Sequence, residues 1–310
     1  MRFRPIVVGA LYPGITRGLS ADLLATQALS GTGYPVCTSH VVAGDGVVTD
    51  VLNVPTDTVA AQLEHLFETR TPTSAKVGII GATPTVDRVF DHLHSLDGPV
   101  VYDLTVSGPS GEDVVEQEGL EAIVERLSEP DLVTIRRTDA ALVAGMEIPS
   151  LDDAQVAAQR IAQQGAEHVL IRCGKLPTHF YDQEGSPPDY ALDLFFDGDD
   201  FALFEAPHLD GLQSHHGASS GLLLPLLHHL QTGMELEPAL QKAKGRVSEA
   251  LRALQQDEGD NPDATFFETL EEEPTLCLKP ILRFPRRGSC RCRNPPYTAY
   301  THTQLQDLYC

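Results

Sequence analysis

The chain has no tryptophan, three methionines and few aromatic residues of any kind, at 6%. Lysine is scarce as well. Only Lys76, Lys175, Lys242, Lys244 and Lys279 occur, so arginine dominates the 22 basic residues. No apolar run reaches the length of a membrane span. No cleavable leader is visible either, because Met1–Gly9 reads as a first strand. These absences predict a cytoplasmic protein with no membrane contact. Cysteine is limited to six residues. Cys37 and Cys173 lie in apolar, strand-like contexts and are expected to be buried thiols, whereas Cys277, Cys290, Cys292 and Cys310 crowd the C-terminal end. Cys290-Arg291-Cys292 with His302 fits no common zinc spacing. The deficit of positive charge is large: 44 acidic against 22 basic residues give a net charge of −22. Such a surface repels nucleic acid and anionic membranes, and it suits a high-salt cytoplasm where hydrated carboxylates maintain solubility. A halophilic source is therefore expected.

What remains is ample for a core. A chain of 310 residues with 42% hydrophobic content makes one large α/β domain or two small ones. Apolar, β-branched runs predict strands at 5–9, 34–40, 75–80, 100–103, 132–135 and 168–173. Helical periodicity predicts helices at 20–28, 59–68, 85–94, 112–126, 138–143 and 151–164 between them. Two further strands are expected at 191–196 and 200–205, then helices at 221–230 and 237–256. Repeated β-then-α order with short joints implies a parallel sheet covered on both faces. The acidic stretch from Asp257 to Asp263 divides a domain over 1–255 from a segment over 256–310, which carries the late cysteines and Arg283, Arg286, Arg287, Arg291 and Arg293.

The segment Ser214-His215-His216-Gly217-Ala218-Ser219-Ser220-Gly221 runs straight into the apolar stretch 222–227. Small and hydroxyl-bearing residues ahead of an apolar helix leave backbone N–H groups free at the positive end of the helix dipole, an arrangement suited to an anion. An ordinary serine N-cap is the plainer alternative.

Further segments occur in a definite order around this one. They are Val7-Val8-Gly9, Gly18-Leu19-Ser20-Ala21-Asp22, Gly31-Thr32-Gly33-Tyr34, Gln62-Leu63, Ala75-Lys76-Val77-Gly78, Val101-Tyr102-Asp103, Leu132-Val133-Thr134, Asp139-Ala140, Val169–Lys175 and Phe204–His208 with Asp210. Over roughly residues 5–253 the series resembles the hydroxymethylpyrimidine/phosphomethylpyrimidine kinases of thiamine biosynthesis, within the ribokinase superfamily. The resemblance implies a ribokinase-like three-layer α/β/α fold with a central, mainly parallel sheet, and a homodimer. It also implies transfer of the γ-phosphoryl group of ATP, with Mg2+, to a pyrimidine alcohol or its phosphate. A related pyridine alcohol, as in pyridoxal kinases, is the nearest alternative acceptor.

Residue by residue, the resemblance implies an anion hole at Gly217, Ala218 and Ser219, with Ser220 or, in a register shifted by one, Ser219 at the catalytic position. Asp103 and Asp139 fall at the metal positions, and Arg172, Gly174 and Lys175 on the nucleotide side. Asp22, Ala43 and Val106 fall around the substrate ring. The chain also departs from the family pattern. The second glycine of the anion-hole motif is absent, and serine replaces the cysteine or aspartate. Arg136 stands in place of an asparagine, and the loop before Asp22 has become Ala10-Leu11-Tyr12-Pro13-Gly14-Ile15-Thr16-Arg17-Gly18. A serine hydroxyl is a poor base without a partner to take its proton. These departures support a second reading, in which a catalytically degenerate relative binds a small heterocycle or nucleotide as a sensor.

Overall fold

The computed structural model describes residues 2–44, 47–108, 110–176, 190–209, 217–256, 262–274, 278, 280 and 282–285. Ser214, His215, His216 and Asp210 of the sequence motif lie outside the described residues, as do Cys277, Cys290, Cys292, Cys310 and His302.

Ten strands form one sheet. In chain order they are β1 (Pro5–Leu11), β2 (Tyr34–Gly44), β3 (Val47–Asn53), β4 (Ser74–Val77), β5 (Val100–Leu104), β6 (Leu132–Arg136), β7 (Val169–Gly174), β8 (Tyr190–Phe196), β9 (Asp200–Pro207) and β10 (Leu282–Pro285). Their spatial order is β10-β9-β8-β7-β6-β5-β4-β1-β2-β3. The block from β7 to β2 is parallel, and the strands beyond it on both sides run antiparallel. The parallel strands are buried on both faces, which is why they read as nearly unbroken apolar runs.

Two helical layers cover the sheet. On one face lie α1 (Leu19–Ala28), α7 (Ala218–Leu230), α8 (Leu236–Gln256) and α9 (Pro262–Thr269), packed over Val7, Val101, Leu132 and Leu170. On the other lie α2 (Thr56–Thr69), α3 (Thr83–Leu93), α4 (Gln117–Glu125), α5 (Arg137–Ala144) and α6 (Leu151–Gln163), packed over Ile6, Val8, Val77 and Tyr102. The period-2 alternation of each strand assigns neighbouring residues to opposite cores. This is the expected three-layer architecture. Among the described residues, no helix is long and apolar enough to cross a membrane.

Expectations about two elements and one cysteine are corrected. The helix expected over 112–126 begins only at Gln117. Before it, the Glu112 carboxylate accepts hydrogen bonds from the backbone N–H groups of Val48 and Ser110, and Val114 N–H donates to Val106 C=O at 3.1 Å. Side-chain bonding to backbone competes with helix formation there. The strand expected to run to Ile80 ends at Val77, where the chain turns and Gly78 N–H donates to Val8 C=O at 2.7 Å. Cys37 is half-buried, packed against the margin of the core beneath α1 and α7, while Cys173 is buried as expected. Strand β3 was not anticipated at all. Beyond the expected boundary at 255, α9 packs on α8 and α1, and β10 pairs with β9, so both join the same body.

Candidate functional site

The strands deliver side chains to the α1/α7 face in a fixed register. Lys76 on β4 lies level with Val101 on β5, and Asp103 is the next residue of that face. Asp103 is level with Thr134 on β6, and Arg136 is level with Arg172 on β7. Since Val101, Leu132 and Leu170 belong to the core under α1 and α7, the charged residues that follow them emerge on the same face, at the C-terminal ends of the parallel strands. Helix α7 packs against β4 and β5 and brings its first turn to this point.

Gly18 sets the approach of α1. It adopts φ 57°, and a Cβ there would lie 2.3 Å from Ala10 C=O, so only glycine lets the loop from β1 close so tightly. Asp22 then enters the site from the first turn of the helix.

A continuous network results. Lys76 Nζ donates to Asp22 Oδ2 at 2.9 Å and lies 3.8 Å from Asp103 Oδ2. The Ser220 hydroxyl donates to Asp22 Oδ1 at 2.7 Å. Arg172 Nη2 donates to Asp103 Oδ1 at 2.7 Å, and its Nη1 donates to Ser219 Oγ at 3.0 Å. The Ser219 hydroxyl completes the circuit by donating to Asp103 Oδ2 at 2.5 Å. Asp22 and Lys76 are almost fully enclosed, at 1% and 4% exposure. Burial by itself pulls the Lys76 ammonium down, but Asp22 and Asp103 outweigh it and hold the group charged, above its ordinary value. Burial likewise pushes Asp103 up. Arg172 first and Lys76 second reverse that, so its carboxyl is held below the ordinary carboxylate range.

A second pair stands beside the first. Asp139, wholly buried at the start of α5, accepts from Ser107 on one oxygen and from Arg136 Nε and Nη2 on the other, at 3.0 and 2.8 Å. Tyr12, buried in the loop after β1, carries the Arg17 guanidinium over its ring at 5.2 Å from the centroid. Burial raises the Tyr12 hydroxyl, while Arg17, Arg136 and Lys76 draw it down without reversing the shift.

Helix α7 begins at Ala218 with Gly217 as its N-cap residue, which has no side chain of its own to bond the N–H groups of the first turn. The two serines separate clearly. Ser219 faces Asp103 and Arg172 and is partly exposed, whereas Ser220 is buried and spent on Asp22. Asp22, Asp103, Arg172, Ser219 and Ser220 thus converge. Gly174 ends β7 with φ 60°, and Lys175 follows it, exposed. Ala43, on the β2–β3 hairpin, and Val106 pack with the core of the opposite face, and Val106 directly precedes Ser107.

Sequence reasoning gave no role to Lys76 or Tyr12. For Lys76 a signal existed: a lysine inside the apolar strand Ser74-Ala75-Lys76-Val77 must be paired if it is buried. Nothing local marks Tyr12.

All four oxygens of Asp103 and Asp139 already hold a donor, one oxygen of each from an arginine and the other from a serine hydroxyl, with Lys76 a further cation 3.8 Å from Asp103. Among the described residues, no three His, Cys, Asp or Glu side chains group to hold a metal ion. This donor set does not fit a magnesium ion held by the protein itself.

The sequence pattern of phosphomethylpyrimidine kinases matches residues 13–263. A hydroxymethylpyrimidine/phosphomethylpyrimidine kinase of Aquifex aeolicus is 29% identical over 241 residues, covering 76% of this chain and 89% of the relative. Among solved structures, a phosphomethylpyrimidine kinase of Clostridium difficile superposes with a TM-score of 0.65 at 20% identity, covering 81% of this chain and 100% of that one. The pyridoxal kinase of Staphylococcus aureus in complex with AMP-PCP and pyridoxal gives 0.68 at 25% identity, covering 82% and 89%.

Proposed function

Because the chain belongs to the phosphomethylpyrimidine kinase family, we propose that it transfers the γ-phosphoryl group of ATP to hydroxymethylpyrimidine or its phosphate, a reaction of thiamine biosynthesis. The observation that carries this reading is the Ser219–Asp103 hydrogen bond in the first turn of α7. Serine alone would be a poor base, but here an ionised carboxylate stands ready to take its proton.

In this mechanism the acceptor hydroxyl approaches Ser219. Its oxygen attacks the γ-phosphorus, its proton passes to Ser219 Oγ, and the serine proton passes to Asp103. The bond between the γ-phosphorus and the bridging oxygen breaks, releasing ADP. Negative charge that develops on the phosphoryl oxygens meets the N–H groups at the start of α7 and the Arg172 guanidinium. Asp22 and Lys76 hold α1, β4 and α7 in register beneath the reacting groups.

The same reading includes a homodimer in the cytoplasm of a salt-adapted organism. The exposed apolar residues Val42, Val47 and Leu52 on the β2–β3 hairpin support the first part, and the net charge of −22 supports the last. A second reading, binding without turnover, is favoured by Ser219 where the register that makes Ser220 catalytic has the second glycine, and by the commitment of Ser220 to Asp22.

ATP consumption with hydroxymethylpyrimidine, its phosphate and pyridoxal decides between them. Turnover is expected with a pyrimidine acceptor. Ser219→Ala and Asp103→Asn should each lower kcat by about 100-fold or more. Ser220→Ala should leave most of kcat while costing about 1–3 kcal/mol of stability, because it strips a partner from buried Asp22. Clear binding of one of these compounds without turnover of any would overturn the kinase reading in favour of the sensor. Turnover of pyridoxal alone would reassign the acceptor.

A further inference from the structure

Two guanidinium groups occupy the space that the carboxylates of Asp103 and Asp139 would offer to a divalent cation. Arg136 and Arg172 sit level with each other on neighbouring strands and emerge on the same face of the sheet. Each is anchored on its own aspartate. Arg136 engages Asp139 through two nitrogens and also donates to the Ser107 backbone C=O, while Arg172 spans Asp103 and Ser219. The order of exposure matters. The arginine side chains retain 29% and 20% of their accessible surface, but their aspartates retain 0% and 10%. A ligand entering from solvent therefore meets the cations first and the carboxylates only behind them.

A metal ion would meet the reverse difficulty. Magnesium requires oxygen ligands at about 2.0–2.1 Å in octahedral array. Reaching either carboxylate would mean displacing a charge-assisted hydrogen bond and seating a divalent charge against Arg136, Arg172 and Lys76. Arg17, above Tyr12, adds a further cation on this side and forms no ion pair among the described residues. Against Asp22, Asp103 and Asp139, the four cations Lys76, Arg136, Arg172 and Arg17 leave one positive charge in excess, which on a chain with a net charge of −22 favours an anion.

We infer that Arg136 and Arg172 replace a protein-held divalent cation in this chain, with Asp103 and Asp139 serving to hold the guanidinium forks toward an incoming polyphosphate. The planar fork suits phosphate oxygens and needs no metal to bridge them. The inference rests on the kinase reading only for the identity of the physiological ligand. It concerns how the site binds phosphate, and so it can be tested without turnover.

The test is calorimetric titration of the full-length protein with inorganic triphosphate in EDTA. Binding is expected without any divalent ion. Arg136→Met and Arg172→Met should each weaken it by about tenfold or more. Because either change leaves a buried aspartate unpaired, the paired variants Arg136→Met/Asp139→Asn and Arg172→Met/Asp103→Asn provide neutral versions of the same site. Their far-UV circular dichroism should match the wild type while triphosphate binding remains weakened. Mn2+ binding followed by electron paramagnetic resonance, without nucleotide, should be unchanged by Asp103→Asn or Asp139→Asn. Triphosphate binding that appears only when Mg2+ is added would overturn the inference, as would undiminished binding by the folded paired variants. So would a bound Mn2+ signal lost in either aspartate variant. Metal-free binding with no turnover of any acceptor would remove the kinase reading and leave this inference standing.

Discussion

Lys76 is the residue on which the site depends most. It is one of five lysines in the chain, lies within a four-residue strand and is shared between two carboxylates from different elements. Removing one member of a buried ion pair is costly because the partner charge is left without compensation. Lys76→Met should therefore lower stability by about 3–5 kcal/mol in urea denaturation. The pH dependence of that loss has a definite sign. Asp103 is held below the ordinary carboxylate range, so its contribution is complete above that range and disappears as pH falls through the lowered value. Lys76 is held above the ordinary lysine value, so its contribution is complete below that value and disappears as pH rises through the raised one. Burial holds Asp22, the closer partner of Lys76, above the ordinary carboxylate value even with Lys76 beside it. The stability difference between wild type and Lys76→Met should therefore shrink as pH falls, first as Asp22 takes up its proton and then as Asp103 does, and should shrink again at the alkaline extreme. At this scale the sequence exposed the residue types but not their partners. Ser219 and Ser220 are adjacent, and only the rotation of α7 gives one to Asp103 and the other to Asp22.

Among the elements, α7 joins the site to the C-terminal part of the chain. Gly221 lies on its inner side, where an added Cβ would come within 2.6 Å of Phe266 Cζ and 2.9 Å of Cε1 on α9. Phe266 is fully buried beside Phe267, with the two rings edge to face at 5.1 Å. Gly221→Ala should destabilise the protein by about 1–3 kcal/mol through overpacking. Phe266→Ala should cost about 3–5 kcal/mol through the cavity it leaves. In the double variant the two effects should be less than additive in thermal denaturation, since the cavity accommodates the added methyl group. This contact explains why the region after 255 was hard to place from sequence. The segment 257–263 is polar and acidic, yet it is followed by Phe266 and Phe267, whose burial requires a face that α1, α7 and α8 assemble together. Strand β3 was missed for the opposite reason. It is an edge strand with half-exposed and exposed positions, and Leu52 is 66% exposed, so it carries no strong apolar pattern. The parallel strands were readable because burial on both faces leaves apolar runs that scarcely any other element produces.

For the molecule as a whole, acid sensitivity should reflect His229 near the end of α7. Burial, reinforced by His228 and Arg246, lowers its value from 6.5 to about 4. The folded state therefore favours the neutral ring. That contribution is complete above pH 6.5 and is lost as pH falls through about 4. The melting temperature should decline across this window, and His229→Gln should flatten the decline while leaving the neutral-pH circular dichroism spectrum unchanged. The strongly acidic composition sets the electrostatic background of the molecule, and Lys76, Arg136 and Arg172 neutralise the aspartates Asp22, Asp139 and Asp103 within it. Composition, period and motif order were sufficient to determine the three-layer fold and the family, because each depends on patterns that recur along the chain. The state of the site depended on tertiary structure alone. Whether Asp103 meets a metal or an arginine, and which serine meets a carboxylate, is decided by contacts of a few ångströms between elements as far as 198 residues apart in sequence. No local pattern encodes those distances, since they arise from strand register and helix rotation when the layers pack.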